Sequence, residues 1–578
     1  MIKEDDNLRF EGGVYMRTIY KNAKVLSIEM DNSETRGEAL VVDGDKISFI
    51  GSNEDVLKYI DNNSKVVDCK GGSLLPGFGD AHMHIGLSHK KFAVCDVGDA
   101  VFDVNKQTPE EVIKIIQDKL KKFADDHKDA AVIRGIGWDR FWFTGNIRGL
   151  YYNFTKKDID AVISDKPVVL DGYDGHITIL NSKALELANI NSFEDPGNLI
   201  ERNEKGEPTG IIKEPIMMTP VCNAIPGYAF STEEIKYGFK VAQDVFASKG
   251  YTYLSDCMQS TPSYKIIKEM AENDELNVRI DGVFNCNNKT MSNDLKYALD
   301  NKNEYNVKDL FKVDTVKYFV DGEFSMFSPL NKEFCKENGI PENFRYPLLW
   351  DKNDLCKSME DFQKEGFNIH VHSMGDYATN VTIDCIEKAQ KYNNKGLRNI
   401  IAHCSFVTTN DKKRMGDFGI IASIQPEWQI ETNESNPVFA KMFDEELHKT
   451  IYPSKSLEDS GVICAYGSDF PVYMPNALSN IQSALTRRIN PKVKDYESYK
   501  HLKAEMPEEC ITLKQAIKNQ TICVAYQFHR EDITGSLKVN KSADFVILDK
   551  DIEKVDIDKI YDINVVETVF KGKTVFKK

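Results

Sequence analysis

Pro76-Gly77-Phe78-Gly79-Asp80-Ala81-His82-Met83-His84 decides how this chain is read. The stretch closes an apolar run, SLLPGFGDAH from Ser73 to His82, that reads as a β-strand, and its His-x-His pair stands at the C-terminal end of that strand. Side chains two apart on a strand point to one face, so the imidazoles of His82 and His84 can aim at a single metal ion. Two polar histidines at a strand end would look the same in isolation. The rest of the chain separates the readings.

Seven further apolar runs follow: YTYLSDC (251–257), NVRIDGVF (277–284), TVKYFVDG (315–322), FNIHVHS (367–373), NIIAHCS (399–405), IIASIQP (420–426) and VICAYGSD (462–469). Helical patterns alternate with them, which predicts βα units and a parallel sheet, and eight runs match the eight strands of a closed (β/α)8 barrel. Thr108-Pro109-Glu110-Glu111 and Ser231-Thr232-Glu233-Glu234 have the form of capping boxes, the second helix stopping at Gly250. The long interval after the first run exceeds the usual βα connection and predicts an inserted subdomain at about residues 90–235.

Active sites of such barrels lie at the C-terminal strand ends, where Lys317, His372, His403 and Asp469 join the His-x-His pair. Each has an ordinary reading: a surface lysine, two hydrogen-bonded core histidines, a helix N-cap after Gly467-Ser468. Their joint placement argues for a common site.

The chain ends differ in character. ALVVDGDKISFIGS reads as a β-hairpin turning at Asp43-Gly44-Asp45, and ADFVILD and VVETVFKGKTVF are β-branched runs with a turn at Lys571-Gly572-Lys573. The expected organisation is an α/β TIM-like barrel over residues 74–525 and a small β-sandwich built from 16–73 and 526–578. A polar extension, 1–15, precedes them.

The 578 residues are 41% hydrophobic and 28% charged, which predicts a compact globular protein. A net charge of -16 without a basic stripe opposes nucleic-acid binding. No apolar run is long enough to span a bilayer, and the acidic start lacks a signal-peptide core, so a cytoplasmic location without membrane association is expected. Twelve cysteines without a CxxC pair predict neither a disulfide framework nor a zinc ribbon, with most of the thiols buried, reduced and inert.

PGFGDAHMH, GIGWD (135–139), YDGHITILNSKAL (173–185), GIIKE (210–214), TVKYFVDG, HVHSMGD (370–376), GSDFPV (467–472), ALTRR (484–488) and SLKVNKSADFVILDKD (536–551) occur in the order seen in the YtcJ-like members of the amidohydrolase superfamily, which this chain resembles over nearly its whole length. The resemblance implies that His82 and His84 bind the more buried metal, that His372 and His403 bind a second, and that Asp469 contacts the first and shuttles a proton. It places Lys317 where a lysine carboxylated by CO2 bridges two ions. An unmodified ammonium has no lone pair for that task, and would leave one ion on His82, His84, His372 and Asp469 with His403 in support. His370 shares the strand face of His372 but falls outside the motif position, and reads as structural.

Trp138, Asp139, His176, Glu214 and Asp321 occupy motifs that the resemblance assigns to substrate binding. Packing is the competing role for Trp138, and hydrogen bonding for His176. Gly79, Glu323-Phe324 and Tyr377 depart from the usual family pattern near the predicted barrel mouth.

The implied reaction is hydrolysis of a C–N bond in an amide, N-formyl or N-acyl amine, by hydroxide that a divalent metal generates near neutral pH. Zinc is the default ion for a nitrogen-rich site, as one ion or two. The expected partner is a small-molecule substrate, with homo-oligomer formation open. The alternatives are deamination of an amino-heterocycle by the same chemistry, and a catalytically inactive barrel with a binding or structural role.

Overall fold

The computed structural model describes residues 17–98, 108–138, 154–172, 177–195, 197–322, 332–337, 339, 341, 347–393, 396–430, 447, 449–490, 503–504 and 506–578. Two compact units emerge, one made of the chain up to Ile85 together with Gln243–Lys578, the other of Gly86–Ala242.

The first unit holds an eight-stranded sheet in sequence order: Phe78–Met83, Tyr251–Asp256, Arg279–Asn285, Phe311–Phe319, Asn368–Ser373, Asn399–His403, Ile421–Ile424 and Cys464–Tyr466. Every neighbouring pair is parallel. These short runs are buried along almost their whole length, as expected of parallel strands covered on both faces. Ala81, Tyr253, Ile400, Ile421 and Ala465 from the strands share a core with Ile522, Val524 and Phe528.

The sheet closes through its exits rather than through a regular ladder. The backbone N–H of Asp469 donates to the His82 carbonyl at 2.7 Å, and that of His84 to the Phe470 carbonyl at 2.8 Å. Gly467 makes the approach feasible: a Cβ there would lie 2.7 Å from the His82 backbone nitrogen.

The run SLLPGFGDAH is two strands instead of one. Ser73–Pro76 pairs antiparallel with Phe545–Leu548 and parallel with Lys24–Ile28, and only Phe78–Met83 enters the barrel. Gly77 marks the change of sheet, where a Cβ would collide with Thr252.

Both chain ends build the β-sandwich. One sheet has the order Lys46–Gly51, Ala39–Asp43, Thr18–Lys21, Lys65–Asp68; the other has Lys573–Lys577, Val565–Phe570, Phe545–Leu548, Ser73–Pro76, Lys24–Ile28, Glu34–Gly37. Tyr20, Leu40 and Ile47 of the first sheet and Val25, Leu74, Phe545 and Val569 of the second form one apolar core.

The second unit contains a six-stranded sheet ordered Ile200–Arg202, Pro208–Lys213, Ile177–Leu180, Val168–Gly172, Ile133–Trp138, Cys95–Asp96. Its helix Pro109–Asp126 starts with the expected capping box, Thr108 and Glu111 each accepting the other's backbone N–H. The reciprocal bonds of Ser231 and Glu234 cap the helix Thr232–Ser248 in the same way.

Among the described residues no helix is long and apolar enough to cross a membrane. Cys356 and Cys385 are the exception among the cysteines and form a disulfide between the helices Lys352–Lys364 and Asp376–Ala389, whose packing brings the two Cα atoms to 4.4 Å. Nine of the ten free cysteines are buried.

Arg279, at the start of the third barrel strand, is fully buried and bonds Asp544, Asp309 (2.8 Å) and Ser542 (2.9 Å). It ties the barrel to the residue that leads into the sandwich strand Phe545–Leu548. Removing one member of a buried ion pair typically costs ~3–5 kcal/mol. Arg279→Ala is therefore expected to lower the midpoint of chemical denaturation by that equivalent, and an unchanged midpoint would dismiss the tie. Gly467→Ala is expected to cost about 1–3 kcal/mol through overpacking on His82, read on the same denaturation curve.

Candidate metal centre

His82 ends the first barrel strand and His84 follows it on the same face, while the turn after the eighth strand returns Asp469 over them. Asp469 Oδ1 lies 3.0 Å from His84 Nε2 and 3.5 Å from His82 Nε2. Ligand-capable atoms of these three side chains all fall within 4.8 Å of one another. Lys317 Nζ stands 3.5 Å from His82 Nε2. The ring of His403 is 4.7 Å from that of His82 and 4.5 Å from that of His372, centroid to centroid. All six side chains expected at the metal centre thus converge.

Strand register explains the convergence. Lys317 pairs with His370, and Ser373 with His403, so the fourth, fifth and sixth strands end together. His403 and Asp469 both adopt left-handed backbone conformations, with φ of 76° and 57°. Such conformations cost a non-glycine residue of order 1–3 kcal/mol and cluster at functional sites.

Burial, followed by the charge of Lys317, holds the His82 imidazole well below its ordinary pKa. Burial does the same to His372, and lowers His403 to about 4 against the opposing pull of Asp469. These rings are neutral at physiological pH and each offers a bare nitrogen. Burial alone would raise the Asp469 carboxyl, but the hydrogen bond and charge of His84, with His403 and Lys317, outweigh it and hold the group below the usual carboxylate range.

His82 Nε2, His84 Nε2 and Asp469 Oδ1 bring three ligand-capable atoms into one buried spot. His372 Nε2 and His403 Nε2 are buried without a hydrogen-bond partner. The donor set of imidazole nitrogens plus carboxylate oxygen suits a divalent transition metal. His84, His372 and Asp469 keep 8–9% exposure whereas Lys317 and His370 have none, so solvent reaches the first three and not the last two.

Neighbouring groups position this set. Asp80 Oδ1 accepts the backbone N–H of both His82 and Ser468 at 3.1 Å, which clasps the first and eighth strands. Gln425 Oε1 lies 3.0 Å from His403 Nδ1, and the Trp428 ring stacks on His403 at 5.2 Å. His370 Nε2 lies 2.9 Å from His82 Nδ1. Cys257, for which burial pushes the thiol pKa up, is 3.9 Å from His370 Nδ1. Sequence reasoning passed over Asp80, Gln425 and Trp428, and set His370 and Cys257 aside.

The expected substrate-binding residues are less uniform. Asp321 is buried and accepts the backbone N–H groups of Met374 and Gly375 at 2.8–3.2 Å, with His372 Nε2 at 3.6 Å; burial raises its pKa to about 7. Trp138 is buried in the core of the second unit and donates its indole N–H to the Leu170 carbonyl at 2.9 Å. Glu214 is exposed, at φ 60°. Asp139, His176, Glu323 and Phe324 lie outside the described residues. Tyr377 is exposed, and Gly79 accommodates Val524, which a Cβ would meet at 2.7 Å.

Residues 65–576 match the Amidohydrolase family. The chain is 26% identical to Protein LONG AFTER FAR-RED 3 of Arabidopsis thaliana, over 90% of this chain and 85% of that protein. It is 24% identical to N-substituted formamide deformylase of Arthrobacter pascens, over 95% and 96% of the two chains. It is also 24% identical to YtcJ of Bacillus subtilis (strain 168), over 94% and 96%. In fold it is similar to an uncharacterized metal-dependent hydrolase from Pyrococcus furiosus, with a TM-score of 0.71 and 20% identity over 93% of this chain and 99% of the other. The match over most of the sequence, on a barrel whose strand ends gather ligand-capable side chains, shows that this chain belongs to the Amidohydrolase family of metal-dependent hydrolases.

Proposed function

We propose that the protein hydrolyses the C–N bond of a small amide, an N-formyl or N-acyl amine, at a divalent metal centre. The observation that supports this most is the convergence of His82, His84 and Asp469 from the two barrel strands that are farthest apart in sequence. The full-length likeness to a protein named for deformylating N-substituted formamides supports the substrate class.

His82, His84 and Asp469 would hold one ion, zinc by default, and His372 and His403 would hold a second where Lys317 is carboxylated. A bound divalent ion supplies Lewis acidity, which lowers the pKa of water to near neutrality and polarises a carbonyl. Asp469 is a carboxylate at neutral pH and retains slight exposure, so it can accept a proton from water and return it to the departing nitrogen. The slight exposure of His84, His372 and Asp469 gives a substrate access, and the burial of Lys317 and His82 strengthens each electrostatic contact there.

Burial lowers the Lys317 pKa to about 8. An appreciable fraction is then the neutral amine, the form that adds CO2 with loss of a proton. The carbamate would exchange a cation for oxygen ligands able to reach two metals.

Elemental analysis of the purified protein, paired with an Asp469→Asn variant on a panel of N-formyl and N-acyl amines, tests the reading. The wild type is expected to carry metal and release carboxylate and amine. Asp469→Asn is expected to keep metal and lose about 10²–10⁴-fold in kcat, the range for a positioned proton-transfer group. Absence of metal, with no activity after zinc or manganese is added, would overturn the proposal. Release of ammonia without a carboxylate product would turn it towards deamination.

A further inference from the structure

We infer that His370 and Cys257 form a positioning relay that fixes the tautomer of His82, so that its Nε2 lone pair faces the metal centre before any ion arrives. The inference rests on the reading of His82 as a metal ligand. His82, His370 and Cys257 are each no more than 1% exposed and come from the first, fifth and second barrel strand ends.

The direction of the relay follows from what its Cys257 end can do. Cys257 Sγ lies 3.5 Å from the Ser255 carbonyl and 3.8 Å from the Ala81 carbonyl, and carbonyls only accept. The thiol proton therefore points to them, and the sulfur faces His370 Nδ1, at 3.9 Å, as an acceptor. His370 carries its proton on Nδ1, and its Nε2 is bare. At 2.9 Å that nitrogen accepts from His82 Nδ1–H. A neutral His82 protonated on Nδ1 has a lone pair on Nε2, the atom next to Asp469 and Lys317. The other end does not choose between tautomers by itself, because the Lys317 ammonium, which only donates, and the Asp469 carboxylate, which only accepts, both stand 3.5 Å from that same Nε2.

The alternative, in which His82, His370 and Cys257 ligate an ion of their own, fits the distances less well. Two imidazole nitrogens on one tetrahedral ion at ~2.0–2.1 Å stand roughly 3.3 Å apart, whereas these stand 2.9 Å apart, the spacing of a hydrogen bond. Metal-bound histidines commonly donate their second N–H to a carboxylate or carbonyl, and losing that partner weakens metal binding about 10–100-fold. His82 reaches its carbonyls through two neutral groups, which adds no second anion beside Asp469.

Zinc affinity of protein stripped of metal, measured by competition with a chromophoric chelator, tests the relay alongside metal stoichiometry and thermal stability. His370→Leu removes the acceptor and is expected to weaken zinc binding about 10–100-fold at unchanged stoichiometry. His370→Gln places an amide oxygen near the Nε2 position and is expected to restore most of the affinity. Should His370→Leu not fold, Cys257→Val cuts the same chain at its far end and is expected to weaken zinc binding in the same sense. Unchanged affinity in both variants, with only a lower melting temperature, would reduce His370 to packing and sink the inference. Loss of a metal equivalent in His370→Gln would make His370 a ligand and sink it too. Failure of the wild type to bind zinc would instead remove the metal-site reading beneath it.

Discussion

The crowding of buried ligand-capable side chains around Asp469 governs this molecule. The imidazoles of His82, His84, His372 and His403 crowd together, and Nε2 of His82 and of His84 face Asp469 at 3.5 and 3.0 Å, in a cluster of which no member is more than 9% exposed. Burial keeps the rings of His82, His372 and His403 from protonating near neutral pH, so their nitrogens stay available as ligands, and gathering so many polar groups out of water has a cost. The fold must hold the groups together against this cost, and a divalent cation reverses its sign. Much of the surrounding structure can be understood as the means of holding them.

Barrel closure is the chief means. The same backbone bonds that join the eighth strand's exit to the first place Asp469 over His82, and Asp80 clasps both strands by their N–H groups. The left-handed backbone at His403 and Asp469 is tolerated because both neighbours are fixed, by the sixth strand at one and by the closure bonds at the other. Fold and site are therefore coupled: loosening the seam between the first and eighth strands would separate the ligands as well as open the barrel. Arg279 and the sandwich core support that seam from a distance, since Ser73–Pro76 feeds the first barrel strand without a connecting loop.

Much of this was legible in the sequence because parallel barrel strands are short, doubly buried and followed at once by functional residues. The eight apolar runs and the five strand-end positions could be read from local pattern alone. The break at Gly77 could not, because Pro76 and Gly77 leave the strand by a change of sheet that depends on Asp544 and Thr252. The disulfide joins positions 29 apart with no motif between them. His370 shows where local reading ends: its spacing from His372 disclosed a shared face, but its partner His82 is 288 residues away. Asp321 was expected to meet substrate, yet its oxygens meet the backbone N–H groups of the Met374-Gly375 turn, a role that no residue pattern encodes.

Charge balance ties the state of Lys317 to the number of metals the site can bear. With an ammonium at Lys317, Asp469 is the sole anion among the six converging groups, and two dications there would set five positive charges against one negative in a buried space. Uncompensated buried charge is among the costliest features a protein can carry. One dication beside the ammonium leaves a smaller excess, which a hydroxide or an anionic substrate group offsets. Conversion of Lys317 to a carbamate would change its charge from positive to negative, so that two dications would face two anions, with the four imidazoles as further candidate ligands. The depth of Lys317, fully buried and displaced towards the neutral amine, makes the second state chemically reachable. The metal count and the lysine's covalent state would then be linked through the charge that the buried site can bear.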